Sequence, residues 1–211
     1  MSRTEWRTIC QQAAAEQALQ EAHASWHLTN DQPAPFDHRW EHVQEVVHLA
    51  LWLADETDAD LETVEAAAWL HDVCKGQPSH AALGAATAAR ILAATDFPAA
   101  KIAAVADTIR QHEKMYRPVD AEPLQPIEAA VLWDADKLTK VGVQALAYLL
   151  SAHYLAGQPL KERLRNCEEF VQETLSRTVR SMNTAPARRL AEERYAHMVQ
   201  VLDLWRQEAD F

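Results

Sequence analysis

The sequence predicts an all-α protein. Apolar residues recur at helical spacing through nearly all of its 211 residues. No stretch shows the period-two, β-branched alternation between turn residues that marks a strand. With four glycines and 48% apolar residues, the chain is too rich in core-forming side chains for a disordered or low-complexity segment.

Thr4 to Trp26 reads as the first helix, followed by the polar, proline-containing connector LTNDQPAPFD. That connector divides the chain into residues 1–36, a helix and connector packing on the domain, and residues 37–211, the domain itself. A second helix runs from His38 to Ala54, with Val43, Val46, Val47, Ala50, Leu51 and Leu53 on one apolar face. Asp60 is placed to N-cap LETVEAAAWLHDVCK, which ends at Gly76, a residue suited to a left-handed turn. Ser79 is expected to cap HAALGAATAARILAAT, and Pro98 to sit in the first turn of a helix reaching His112. The irregular EKMYRPVDAEPLQP reads as a surface loop able to act as a lid. Helices are then expected from Pro126 into DADKLTKVG, from Gly142 to Ala156, from Pro159 to Met182, and after a Thr184 cap.

Charge narrows the function classes. With 20 Lys+Arg against 31 Asp+Glu, the formal net charge of −11 repels nucleic-acid backbones, so a polymer of nucleotides is not the expected partner. A small phosphorylated substrate stays compatible, because a bound metal or a local basic cluster inverts the field at one site. The three cysteines Cys10, Cys74 and Cys167 form no CxxC pair and indicate neither a disulfide framework nor a zinc knuckle. The charged N-terminus does not read as a secretory signal, and no apolar run approaches a membrane span. The expected location is cytoplasmic, with no membrane partner; a homo-oligomer is left open.

Ten histidines make metal ligation worth testing, but a His-Asp dipeptide alone carries little weight. Its surroundings decide. His71 and Asp72 end an apolar helix, which brings an imidazole and a carboxylate to the edge of a core, where they are costly unless paired. One cation satisfies both. His42, His80, His112 and Asp136 are offered by the other helices, giving four imidazoles and two carboxylates, enough for one ion or for two bridged by an aspartate. Asp134 competes with Asp136 for the last position. A capping or neighbour-bonding role is the plainer alternative for His80 and His112, and a buried small hydrophobe the plainer reading of Cys74. The seven tryptophans are read as packing residues.

The segments HRWEHVQEVVHLALWLA, EAAAWLHDVCKG, HAALGAATAARIL, IRQH and LWDADKLTKVG, in that order, resemble the HD-domain metal-dependent phosphohydrolase superfamily. The tail MNTAPARRLAEERYAHMVQVLDLWRQE is similar to that of bacterial predicted HD hydrolases. The resemblance implies an HD-domain helical bundle with additional N- and C-terminal helices, His42, His71, Asp72 and Asp136 as the H…HD…D signature, and His80 and His112 as ligands of a second metal. It departs from many relatives at Glu45, where they carry Arg, and at ETLSRTV, which replaces an aromatic-Lys-Leu segment.

The expected activity is a metal-dependent phosphohydrolase, either phosphatase or pyrophosphohydrolase, using one or two divalent ions (Mn, Mg, Fe, Co or Zn) and a metal-activated water. Asp72 and Lys75 are the expected catalytic residues, and Arg39, Lys75, Lys114, Arg117 and Lys137 the expected substrate contacts. The alternatives are an HD-fold di-iron oxygenase, which uses the same ligand set, and a non-catalytic nucleotide- or metal-binding sensor.

Overall fold

The helical periodicity is realised directly: in the computed structural model, which describes residues 5–29, 32–34, 38–118 and 120–209, all regular structure among the described residues is helical. The chain forms two compact units, residues 1–113 with 124–136, and residues 114–123 with 137–211.

In the first unit, α1 (Trp6–Trp26) buries Trp6, Cys10, Ala14, Ala18 and Ala22, a strict i, i+4 stripe narrow enough to lay the helix flat on α2 (Arg39–Thr57) and α3 (Leu61–Leu70). Trp6 meets Phe97 edge to face at 5.1 Å, and its backbone N–H donates to Asp96 Oδ1 at 2.8 Å. The start expected at Thr4, and part of the connector, lie outside the described residues.

The apolar face of α2 consists of Val43, Val46, Val47, Leu49, Ala50 and Leu53; Leu51, expected there, is only half-buried. Leu49 takes its place because i+3 from Val46 and i−4 from Leu53 put it on the same side. α3 is buried from Thr63 to Leu70 except at Glu65, with three consecutive alanines that let neighbouring helices approach closely. Its cap is the expected one: Asp60 accepts from the Thr63 N–H at 2.9 Å.

Some boundaries differ. α3 ends at Leu70, not at Lys75, and three-residue turns carry the chain from His71 to Gly76, which adopts the expected positive φ of 85°. α4 (His80–Ala93) starts without a Ser79 cap: Ser79 sits at φ 54°, and Glu113 Oε1 instead accepts from the Ala81 N–H. Pro98 precedes a 3₁₀ turn, Ala99–Lys101, and α5 (Ile102–Arg110) follows. α6 spans Ile127–Leu138, its residues through Asp136 belonging to the first unit.

The second unit holds α7 (Val143–Ser151), α8 (Leu160–Phe170), α9 (Ser176–Arg180) and α10 (Ala185–Ala209). The single helix expected from Pro159 to Met182 is broken by a π-helical turn at Val171–Leu175. Within this unit the described residues of the expected surface loop are held by hydrogen bonds. Thr178 donates to Met115 O, Ser181 Oγ accepts from the Arg117 N–H, and the Arg117 guanidinium bonds Asn183 Oδ1 and Glu122 O. Thr184 caps α10 through the Ala187 N–H. No helix among the described residues is long and apolar enough to cross a membrane.

Candidate metal centre

The first unit gathers all six expected ligands from five places in the chain. Near the start of α2, Arg39 and His42 share a face because they are three residues apart. The turns after α3 supply His71 and Asp72, which helical geometry alone would separate by about 100° around the axis. The beginning of α4 supplies His80, the end of α5 leads to His112, and the last part of α6 carries Asp136.

Asp72 stands at the middle. Its Oδ2 lies 3.5 Å from His71 Nε2 and 3.9 Å from His42 Nε2; its Oδ1 lies 3.4 Å from His112 Nε2 and 3.8 Å from His80 Nε2. Asp136 Oδ1 joins the first side, 3.4 Å from His42 Nε2. Two ligand groups therefore share one carboxylate: His42, His71 and Asp72 in one, Asp72, His80 and His112 in the other, with the ligand atoms of each group within 4.8 Å of one another. The four imidazoles stack edge to face in a chain, with centroids 5.2–5.6 Å apart.

The protonation pattern suits a cation. His71 Nδ1 lies 2.8 Å from Ala68 O and His112 Nδ1 2.7 Å from Ile109 O. A carbonyl only accepts, so Nδ1 carries a proton in both rings, and in the neutral form of each ring Nε2 is the nitrogen left to ligate an ion. His71 is fully buried, and its Nε2 has no hydrogen-bond partner. An orphan of that kind is costly in an apolar interior. Donor atoms about 2.1 Å from a common ion stand about 3.0–3.4 Å apart, so the shorter separations here, long for hydrogen bonds, are near those of co-ligands. The donor set thus fits one or two divalent cations.

Electrostatics lean the same way. Burial alone would raise the Asp72 carboxyl; the His71 and His112 imidazoles beside it and the Lys75 ammonium outweigh it and hold it well below the usual carboxylate range. Burial, with Lys75 and His112 beside it, lowers His80, favouring the neutral ring that ligates metal.

Of the expected substrate contacts, two lie at the cluster. Lys75 Nζ is 3.2 Å from Asp72 Oδ1 and a third exposed. Arg39 is mostly buried, its Nη2 2.6 Å from Asp72 Oδ2 and its Nε 2.9 Å from Glu21 Oε2. Lys114, Arg117 and Lys137 belong to the second unit: Lys114 is exposed, Arg117 is engaged by Asn183 and Glu122, and Lys137 is buried rather than solvated. Sequence reasoning missed Glu21, Gln17, which donates from Nε2 to Lys75 O at 3.0 Å, and Glu113, whose Oε1 lies 3.6 Å from His80 Nδ1. Their spacing within their own segments carried no signal of these contacts.

Comparison with known proteins adds an independent line. The family described as HD domain matches residues 39–140. The uncharacterized Bacillus subtilis (strain 168) protein YpgQ is 29% identical over 164 residues, covering 77% of this chain and 80% of that protein. The crystal structure of YpgQ in complex with ADP superposes with a TM-score of 0.67 at 22% identity, covering 97% of both chains. An HD-superfamily hydrolase from Bacillus thuringiensis superposes with a TM-score of 0.65 at 21% identity, over 95% of this chain and 98% of that one.

Proposed function

The chain carries an HD domain over residues 39–140, and from that premise we propose that it is a metal-dependent phosphohydrolase acting on a nucleotide or other small phosphorylated metabolite. The observation that carries this reading is the sharing of Asp72 between two ligand groups, with the Lys75 ammonium 3.2 Å from Oδ1 of the same carboxylate. The ADP held by the structurally similar YpgQ supports a nucleotide as the phosphorylated ligand.

His42, His71, Asp72 and Asp136 would hold one cation, and Asp72, His80 and His112 a second. Such an ion, when bound, supplies Lewis acidity toward phosphoryl oxygens and a water of lowered pKa. The chain's own groups do the rest. Asp72 stays ionised because its neighbours favour the carboxylate, and it thereby remains a two-sided acceptor. The carbonyls of Ala68 and Ile109 fix the tautomers of His71 and His112. Lys75 brings three N–H donors and a positive charge to the accessible edge of the cluster, where it would offset phosphoryl charge and donate to the departing oxygen.

Metal analysis of protein purified without chelators, followed by a screen of nucleoside mono-, di- and triphosphates with Mn²⁺ in anaerobic buffer, tests the proposal. Release of phosphate or pyrophosphate, abolished by EDTA and restored by metal, is the expected outcome. Absence of release, with two bound irons and oxygen uptake in a parallel aerobic assay, would replace it with the oxygenase reading.

A further inference from the structure

The N-terminal helix lies outside the residues matched to the HD domain, yet it reaches the centre at two points. Glu21 Oε2 accepts from Arg39 Nε at 2.9 Å while Arg39 Nη2 donates to Asp72 Oδ2 at 2.6 Å. One turn earlier on the same face, Gln17 Nε2 donates to the carbonyl of Lys75, within the turns that present Asp72. Gln17, Glu21, Arg39 and Asp72 also line one narrow pocket with Ala14, Ala18 and Trp69.

We propose that Glu21 is a positioning residue of the metal centre, setting through Arg39 how strongly Asp72 donates to a cation; the proposal rests on the metal-centre reading above. The guanidinium is planar and presents its donors in a fixed fork, so anchoring Nε on Glu21 fixes the direction in which Nη2 meets Asp72. Both acids are more than three-quarters buried, as is the arginine between them. In that setting charge is shared rather than screened. With Glu21 present, the guanidinium is divided between two carboxylates and Oδ2 keeps electron density for an ion beside His42 and His71. Without the Glu21 charge, the guanidinium falls more fully on Asp72, competes with the cation and is free to tilt. Gln17 serves the same end by holding the carbonyl that ends the turn.

The test is Mn²⁺ binding to the full chain, measured by titration calorimetry and by manganese electron paramagnetic resonance, for wild type, Glu21→Gln, Arg39→Lys and the double variant. Glu21→Gln preserves shape, and an unchanged melting temperature without metal establishes that the fold is intact. The expected result is Mn²⁺ binding weakened about tenfold or more, the size usual for partners of metal ligands. The effect should vanish in the Arg39→Lys background, because lysine cannot bridge both acids. Wild-type affinity in Glu21→Gln, or losses that add independently in the double variant, would overturn the proposal. Tight Mn²⁺ binding without phosphohydrolysis would sink the proposed activity and leave this inference standing.

Discussion

At the scale of single residues, Asp72 and His80 make opposite demands. Asp72 is the one side chain common to both ligand groups, so Asp72→Ala is expected to remove turnover and most metal affinity together while far-ultraviolet circular dichroism stays helical; near-wild-type rates would take Asp72 out of the reaction. His80 belongs to one group only and is about a quarter exposed. If both groups of the proposed centre are filled, His80→Ala should therefore lower metal content by one equivalent per chain with little change in melting temperature, as read by inductively coupled plasma analysis. Equal metal content in the two proteins would argue that the second group does not bind. This contrast was partly legible in the sequence, because the histidines lie in segments of a known pattern. The Arg39–Glu21 contact was not, since periodicity says which face of α1 is apolar but not which acid on its flank will meet a cation 18 residues away.

At the scale of elements, the centre depends on where α3 and α4 begin and how closely they pack. Asp60 starts α3 by accepting from Thr63 and is paired with Lys101, while its own N–H donates to Glu128 on α6, the helix that carries Asp136. Asp60→Ala is expected to cost about 1 kcal/mol in denaturant melts, as for other lost N-caps. Burial would raise the Asp60 carboxyl, but Lys101 and Thr63 prevail and lower it. A carboxyl depressed in the folded state contributes fully above its ordinary value near pH 4, and the contribution disappears as pH falls through the lower folded value. The gap between wild type and Asp60→Ala should thus be flat above about pH 5 and close below about pH 4. In α4, a Cβ on Gly84 would stand 3.3 Å from the carbonyl oxygen of His71 and 3.6 Å from Ile109 Cγ2. Gly84→Ala gains helix propensity of about 1 kcal/mol against this tight contact, whereas Gly84→Val adds branches that the backbone cannot accommodate. Valine there should lower the melting temperature and weaken metal binding, because the displaced peptide is that of His71. The close approach at Gly84 had no sequence signal beyond the glycine itself, just as Glu113 in place of Ser79 at the start of α4 needed the tertiary fold to be seen.

At the scale of the molecule, the all-α class followed from helical spacing, and the order of segments pointed to the six side chains that the first unit brings together, while the division into two units had no signal in the local pattern. The reason is that unit membership follows long-range packing: residues 114–123 are hydrogen-bonded to the end of α9 and its following turn, about 60 residues later in the chain. This division gives metal binding a directional consequence. The ligands come from α2, the turns after α3, α4, the end of α5 and α6, all within the first unit, so a bound ion ties together segments that the unfolded chain holds apart. Such a ligand stabilises by mass action, about 2.7 kcal/mol at a free concentration a hundred times its dissociation constant. Mn²⁺ should accordingly raise the melting temperature of wild type and not of Asp72→Ala. In hydrogen exchange the added protection should concentrate in residues 39–57, 61–76, 80–93, 102–112 and 127–136 and leave α8 and α10 little changed. Protection spread evenly over both units, or gained equally by Asp72→Ala, would mean that the ion acts somewhere other than the shared carboxylate.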